Sequence, residues 1–216
     1  MKVALIGASG FVGNAILIEL QQRGHQVTAI VRNPEKVTIK ENVIVVSANV
    51  LNEKELPVVL TGHDAVISAY NAGWTNPDLY NEFLQGSKAI QSAVKKAGIK
   101  RLIIVGGAGS LYNEANEQIV DTEGFPKDWK PGALAARDYL NIIREEKELD
   151  WTFLSPALEM HPGTSGTRKG AYRTGLENPV FDENMRSVIS VEDVGAAIAD
   201  ELENPQNIRK RFTIAY

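Results

Sequence analysis

The sequence predicts an α/β protein whose parallel, doubly wound sheet carries helices on both faces. Short apolar runs rich in β-branched residues alternate with longer segments of helical periodicity, which is typical of successive βαβ units. The first run, Lys2 to Ile6, is apolar from its second residue onward, as expected for a strand buried on both faces. With 216 residues, 44% of them hydrophobic, the chain can form one globular domain with a sizeable core.

Three glycines, Gly7, Gly10 and Gly13, follow this strand in the pattern G-x-x-G-x-x-G, and a helical stripe over 14–23 comes next. The first glycine permits a sharp turn, the second lets a phosphate group approach the backbone, and the third lets the helix pack closely on the strand. The free N–H groups at the helix start favour an anion. Strand, glycine turn and helix together predict a Rossmann-type dinucleotide-binding fold. The alternative is a glycine turn that only connects the two elements.

The remaining elements follow in regular order. The predicted strands cover 26–31, 42–46, 65–68, 101–105, 151–154, 187–190 and 211–215. The predicted helices cover 53–60, 79–97, 132–148 and 194–202. Ser190 and Asp193 form a capping pair before the last helix, and Pro57 indicates that the helix over 53–60 is broken or begins late. The segments at about 109–131 and 156–187 have no clear period, and we expect them to form a small substrate-side lobe within a single domain, 1–216.

Arg32 follows the second strand, about 20 residues after the glycine turn, where NAD-preferring sites usually place Asp or Glu. A basic residue at this position suits a 2′-phosphate instead. Arg32, with Lys36 as a second candidate, therefore predicts NADP(H) as the preferred cofactor and leaves NAD(H) possible. The alternative is that Arg32 is a solvated loop residue.

Composition excludes several other functions. The net charge of −4 gives no basic surface for nucleic acid, and the absence of cysteine rules out disulfides and thiolate chemistry. The three histidines, at 25, 63 and 161, are far apart and predict no metal site; we expect the first two in surface turns and a structural or exposed position for the third. No apolar run is long enough to span a membrane, and the first strand begins at residue 2, so we expect a cytoplasmic protein without a signal peptide.

Five pieces of sequence carry a family resemblance: G-A-S-G-F-V-G, A-I-V-R-N-P-E-K, R-L-I-I-V-G-G-A-G-S-L, D-W-T-F-L-S-P-A and S-V-E-D-V-G-A-A-I. They are spread over nearly the whole chain. With them the chain resembles the atypical short-chain dehydrogenase/reductases, specifically the NmrA-like proteins often named NADH-flavin reductases, and it is similar to biliverdin reductase B.

The resemblance implies cofactor contacts along the carboxyl edge of the sheet. They are Gly7, Ser9, Gly10, Phe11 and Val12 at the pyrophosphate, Arg32 at the 2′-phosphate, Asn49 and Val50 at the adenine, Ser68, Ala69 and Tyr70 beside the cofactor, and Val105, Gly106, Gly107, Pro156 and Ala157 at the nicotinamide. Relatives often carry Asp in place of Asn49.

The sequence departs from the wider superfamily in its catalytic residues. That superfamily uses a Tyr-x-x-x-Lys pair as its acid–base machinery. The residues four positions after Tyr70, Tyr80, Tyr112, Tyr139 and Tyr172 are Trp74, Leu84, Asn116, Ile143 and Leu176. None is lysine, so the usual proton relay between alcohol and ketone is absent.

A flavin, quinone or similar planar acceptor could still take hydride from NAD(P)H and a proton from solvent. Trp74, Tyr112 or Trp129 could stack on such an acceptor, Ser110 or Tyr112 could hydrogen-bond it, and Lys130 could offset developing negative charge. The catalytic candidates are thus Ser110, Tyr112 and Lys130. Ordinary packing for the aromatic residues and a solvated position for Lys130 are the alternatives.

Two other functions remain open. The chain could be a non-catalytic NADP(H)-binding redox sensor of the NmrA-like type that signals to a protein partner, since the missing catalytic pair fits that function equally well. A sugar epimerase or dehydratase is a third candidate, although it normally needs the missing tyrosine.

Overall fold

A computed structural model describes residues 1–37 and 41–216. Eight strands of the described chain form one sheet in the order β3-β2-β1-β4-β5-β6-β8-β7. They are β1 (Lys2–Ile6), β2 (Gln26–Val31), β3 (Val43–Ser47), β4 (Ala65–Ser68), β5 (Arg101–Val105), β6 (Asp150–Ser155), β7 (Arg173–Gly175) and β8 (Lys210–Ala215). Every neighbouring pair is parallel except β7 with β8. The strand order reverses at β1, which lies between β2 and β4.

Five α-helices among the described residues cover the two faces of this sheet. They are α1 (Phe11–Gln22), α2 (Glu55–Leu60), α3 (Leu79–Lys96), α4 (Lys130–Arg144) and α5 (Val191–Glu203). One buried cluster packs α1 and α5 on one face, with Ile16 and Ile198 among its members. The other packs α2, α3 and α4 on the opposite face, with Leu60, Ile90 and Leu140 among its members. This arrangement confirms the predicted doubly wound α/β fold.

The helix boundaries follow from local chemistry. Pro57 lies in the first turn of α2, where its missing N–H costs nothing, so the helix begins late. The hydroxyl of Ser190 accepts a hydrogen bond from the Asp193 N–H at 3.2 Å, which confirms the predicted cap of α5. Helix α4 ends at Arg144, four residues before the predicted end.

Just beyond α4, the Glu146 carboxylate accepts the Glu148 N–H at 2.6 Å and hydrogen bonds from Gln91 and Lys95 at 2.9 and 3.3 Å. Burial opposes the charge on this carboxylate, but the three donors outweigh that effect and lower the pKa of Glu146 to about 2. The charged carboxylate therefore ties the end of α4 to α3.

Two predictions about local structure are wrong. The segment 187–190 is not a strand, because Val188 makes only an isolated bridge with Glu159. Strand β7 instead lies inside the segment predicted to be irregular, where it pairs with the free edge of β8.

His25 is buried rather than exposed. Its Nε2 lies 2.8 Å from Glu203 Oε1, because the end of α5 packs over the turn that follows α1. His161 is exposed, and His63 is half-buried with its Nε2 2.7 Å from Thr28 Oγ1.

Candidate functional site

The glycine turn after β1 is held by backbone contacts that leave no room for side chains at two of its positions. Gly7 has a φ of +83°, and a Cβ there would lie 2.5 Å from the Ala69 carbonyl oxygen. A Cβ on Gly13 would lie 2.1 Å from the Gly7 carbonyl oxygen. Gly10 differs, since a Cβ there would meet only the Gly7 oxygen, at 3.3 Å. The first and third glycines are therefore needed by the fold, whereas a Cβ on the second would make this one tight contact and would otherwise border open space.

That space is a cleft of about 190 Å³ at the carboxyl ends of β1, β2 and β4, where the strand order reverses. Its lining includes seven of the predicted cofactor contacts: Gly7, Ser9, Gly10, Arg32, Val50, Ala69 and Tyr70. The other lining residues are Ile6, Ile30, Val31, Asn33, Lys36, Ala48 and Asn71. The N-terminus of α1 opens here with no side-chain cap and no acidic residue in its first turn. The cleft thus offers backbone donors and basic side chains to an anion.

Tyr70 forms one wall of the cleft, and contacts with α3 hold its side chain in place. Its ring stacks on Phe83 with centroids 6.0 Å apart, and its hydroxyl donates to the Glu82 carbonyl oxygen at 3.2 Å. A Cβ on Gly86 would lie 2.4 Å from the ring, so this glycine makes room for it. Burial raises the pKa of Tyr70, although the charge of Arg32 opposes the shift. Tyr70 therefore stays a neutral wall of the cleft.

The second group of predicted contacts lies where β5 and β6 end side by side. Val105 pairs with Leu154, and the Gly106 N–H donates to the Leu154 carbonyl oxygen at 2.8 Å. A Cβ on Gly106 would overlap the ring of Phe153 at 1.9 Å. The parallel pairing brings the turn after β5 next to Pro156 and Ala157, which are both buried after β6.

The sequence profile of NAD(P)H-binding proteins matches residues 7–205. The chain belongs to this NAD(P)H-binding family. It is 39% identical to the uncharacterized protein YwnB of Bacillus subtilis (strain 168) over 99% of this chain and 98% of that protein.

Solved structures agree with this assignment. A "putative epimerase" from Bacteroides thetaiotaomicron is 45% identical, with a TM-score of 0.92 over 100% of this chain and 96% of its own. A "putative NADH-flavin reductase" from Streptococcus pneumoniae is 35% identical, with a TM-score of 0.87 over 100% and 99% of the two chains. These findings confirm the resemblance to the atypical short-chain dehydrogenase/reductases.

Within this NAD(P)H-binding protein, some predicted contacts lie outside the small cleft. Asn49 is exposed and accepts the Leu51 N–H at 3.0 Å, while its two neighbours line the cleft. Phe11 is exposed at the start of α1, Val12 is half-buried, and Ser68 is buried at the end of β4. Asn71 and Asn33 also line the cleft, although neither was predicted to do so. Each directly follows a predicted contact, Tyr70 and Arg32 respectively.

No hydrogen bond in the described part of the chain joins any two of the three catalytic candidates, although Arg211 contacts both Ser110 and the ring of Tyr112. The Ser110 hydroxyl is buried, with 1% of the residue exposed, and it forms hydrogen bonds with Gly107, Ser155 and Arg211. Tyr112 is half-buried, and its N–H donates to the Glu177 carbonyl oxygen at 2.9 Å. Lys130 is half-buried at the first residue of α4.

Two of the three tryptophans, the two predicted to stack on an acceptor, lie near the start of α4. Trp129 directly precedes this helix. The Trp74 ring packs on the first turn of α4, because a Cβ on Gly132 would lie 2.9 Å from its Cζ3. Gly132 therefore makes room for Trp74.

A larger cavity of about 710 Å³ adjoins the cleft, between α1 and the segment 162–168, and Lys36 lines both. Arg168 secures this segment through two hydrogen bonds to the Glu19 carboxylate, at 2.9 and 2.8 Å. Arg23 donates to the same carboxylate at 2.9 Å. Burial opposes ionisation of Glu19, but the two arginines outweigh it and lower the pKa.

Neither a membrane nor a metal site is indicated by the described residues. No helix among them is both long and apolar enough to cross a bilayer. The same residues contain no group of three or more His, Cys, Asp or Glu side chains arranged to hold a metal ion.

Proposed function

We propose that the protein is an NADPH-dependent reductase that passes hydride to a flavin, quinone or similar planar acceptor. The supporting observation is a set of large apolar side chains left exposed along the carboxyl edge of the sheet, in loops and at the start of α1. Their exposed fractions are 44% for Phe11, 62% for Trp74, 55% for Trp129 and 36% for Leu158. Phe11, Trp74 and Leu158 follow the carboxyl ends of β1, β4 and β6, and Trp129 precedes α4. A planar, largely apolar acceptor would cover such side chains.

The chemistry required of the protein is modest. A bound reduced nicotinamide supplies the hydride, while the protein supplies position, electrostatics and exclusion of water. Gly10 and the start of α1 would hold the pyrophosphate, and the ends of β5 and β6 would flank the nicotinamide. Trp74 or Trp129 would stack on the acceptor, and Lys130 would offset its developing negative charge. The acceptor takes its proton from solvent, so the absent Tyr-x-x-x-Lys pair is not needed.

The lining of the cleft supports a preference for NADPH. Arg32 and Lys36 both line it, and no carboxylate is among its described lining residues. A 2′-phosphate there would meet two positive charges and no negative one. We expect Arg32→Ala to weaken NADPH binding about tenfold while changing NADH binding little, because only NADPH carries the phosphate. Lys88→Ala, which removes an exposed charge on α3, is the control and should change neither.

The test is a fluorescence titration of the purified protein with NADPH and with NADH, followed by addition of flavin mononucleotide or a quinone. Loss of reduced-nicotinamide absorbance that requires both protein and acceptor would support the reductase. NADPH binding without turnover across a panel of acceptors would contradict it and favour the redox sensor. Tighter binding of NADH than NADPH would contradict the cofactor preference.

A further inference from the structure

Ser110 is the centre of a buried polar network behind the nicotinamide end of the site. Its Oγ accepts a hydrogen bond from Arg211 Nη1 at 3.2 Å and donates one to the Gly107 carbonyl oxygen at 3.1 Å. The hydroxyl of Ser155 lies 3.2 Å from the same Oγ. A serine hydroxyl has one hydrogen to donate and two lone pairs to accept, and a guanidinium only donates. With Ser155 as the second donor, these partners use the full hydrogen-bonding capacity of Ser110.

Arg211 lies on β8, and its side chain is fully buried at 0% exposure. On the side away from Ser110 it donates from Nε to the Glu177 carboxylate at 3.3 Å, and its Nη2 also bonds this carboxylate. Arg144 of α4 adds a contact to Glu177 at 3.0 Å. Burial opposes ionisation, but the two arginines lower the pKa of Glu177, which therefore stays charged and holds the guanidinium in place.

The network joins the two segments that flank the expected nicotinamide position. Gly107 belongs to the turn after β5. Ser155 is the last residue of β6 and directly precedes Pro156 and Ala157. Ser110 belongs to the same turn as Gly107, so its contact with the Ser155 hydroxyl links this turn to the end of β6, beside the backbone pairing of β5 with β6. Arg211, which is 101 positions away in the chain, donates to the same hydroxyl and leaves it to donate elsewhere.

We propose that Arg211 is a positioning residue for the nicotinamide end of the cofactor site, and that Ser110, through which it acts, positions the turn and does not donate a proton. The proposal rests on the proposed function only in taking the turn after β5 as the nicotinamide wall. It assigns to Ser110 a role different from the catalytic one that its motif suggests.

The variants Arg211→Met, Arg211→Lys, Ser110→Ala and the double variant test this proposal. Arg211→Met leaves Glu177 partly exposed and paired with Arg144, so no unpaired buried charge threatens the fold. The first probe is NADPH, and the second is 2′,5′-ADP, which contains the adenosine end of the cofactor without the nicotinamide. Equilibrium titration of both ligands requires no turnover, so the result is independent of the acceptor.

We expect Arg211→Met to weaken NADPH binding about tenfold, the order of effect of one charge-assisted hydrogen bond, and to leave 2′,5′-ADP binding unchanged. Ser110→Ala should have a similar effect, the double variant should be no worse than Arg211→Met, and Arg211→Lys should restore part of the affinity. Arg144→Met is the matched control, because it removes the other arginine on Glu177 without touching Ser110, and it should bind both ligands normally.

Three results would overturn the proposal. The first is unchanged NADPH binding by Arg211→Met, and the second is an equal loss of both ligands, which would indicate general damage to the fold. The third is a large fall in kcat for Ser110→Ala with an altered pH profile and normal NADPH affinity, which would identify Ser110 as a proton donor. Failure of the proposed reductase function has a different signature, namely no turnover by the unmodified protein while the binding differences persist.

Discussion

Replacing Gly10 with alanine should separate the fold of the glycine turn from its proposed use as a phosphate site. The added Cβ would meet only the Gly7 carbonyl oxygen, at 3.3 Å, and the backbone φ of −79° suits alanine. The same methyl group would project toward the cleft and the start of α1, where the pyrophosphate is expected. Gly10→Ala should therefore spare the protein and block the cofactor.

The magnitudes follow from these contacts. Alanine is a poorer N-cap than glycine, so we expect a loss of about 1 kcal/mol in the free energy of unfolding. For a chain of this size that is a fall of about 2–4 °C in Tm. The methyl group would exclude a phosphate oxygen from the free N–H groups, so NADPH should bind at least about 100-fold more weakly, equivalent to about 2.7 kcal/mol.

Thermal denaturation and NADPH fluorescence titration measure the two effects on the same sample. Gly124→Ala is a neutral control, because no atom lies within 4 Å of a Cβ there. Gly13→Ala is the opposite control: its Cβ would lie 2.1 Å from a backbone oxygen, so it should destabilise the fold by more than about 4 kcal/mol. If Gly10→Ala bound NADPH as tightly as the unmodified protein, the turn would not be the phosphate site.

Two further predictions concern charged side chains. Arg168→Ala should lower the free energy of unfolding by less than about 1 kcal/mol, because Glu19 keeps its bond to Arg23; Glu19→Gln should cost more in thermal denaturation, and equal losses would contradict this reasoning. The pKa of Glu146 is about 2 in the folded protein, against an ordinary 4.5, so the ionised carboxylate stabilises the fold above pH 4.5. This stabilisation is lost as the pH falls toward 2. In denaturant titrations, Glu146→Gln should thus be less stable at pH 7, and the difference should shrink toward pH 2; a constant difference would refute the role of ionisation.

The sequence by itself determined the glycine turn and the order of the five α-helices and of every strand except β7, although it also predicted a strand over 187–190 that the structure lacks. These features depend on local requirements: apolar periodicity fixes which face of an element is buried, and Gly7 and Gly13 occupy positions where the backbone leaves no room for a Cβ. Arg32 could be placed beside the cleft for the same reason, since it directly follows β2. The prediction failed for β7, because its three residues, Arg-Thr-Gly, have no strand pattern and pair only because the edge of β8 is free.

Tertiary structure alone decided the polar contacts between residues far apart in the chain. The sequence predicts His25 in a surface turn, but the end of α5 packs over it. Ser110 lies in a glycine-rich motif that suggests catalysis, yet Arg211 and Ser155 occupy its hydroxyl. The physical reason is that the spacing of apolar residues along the chain predicts which side chains are buried. The partner of a buried polar group can lie more than a hundred positions away, and it is fixed only when the packed sheet brings the two together.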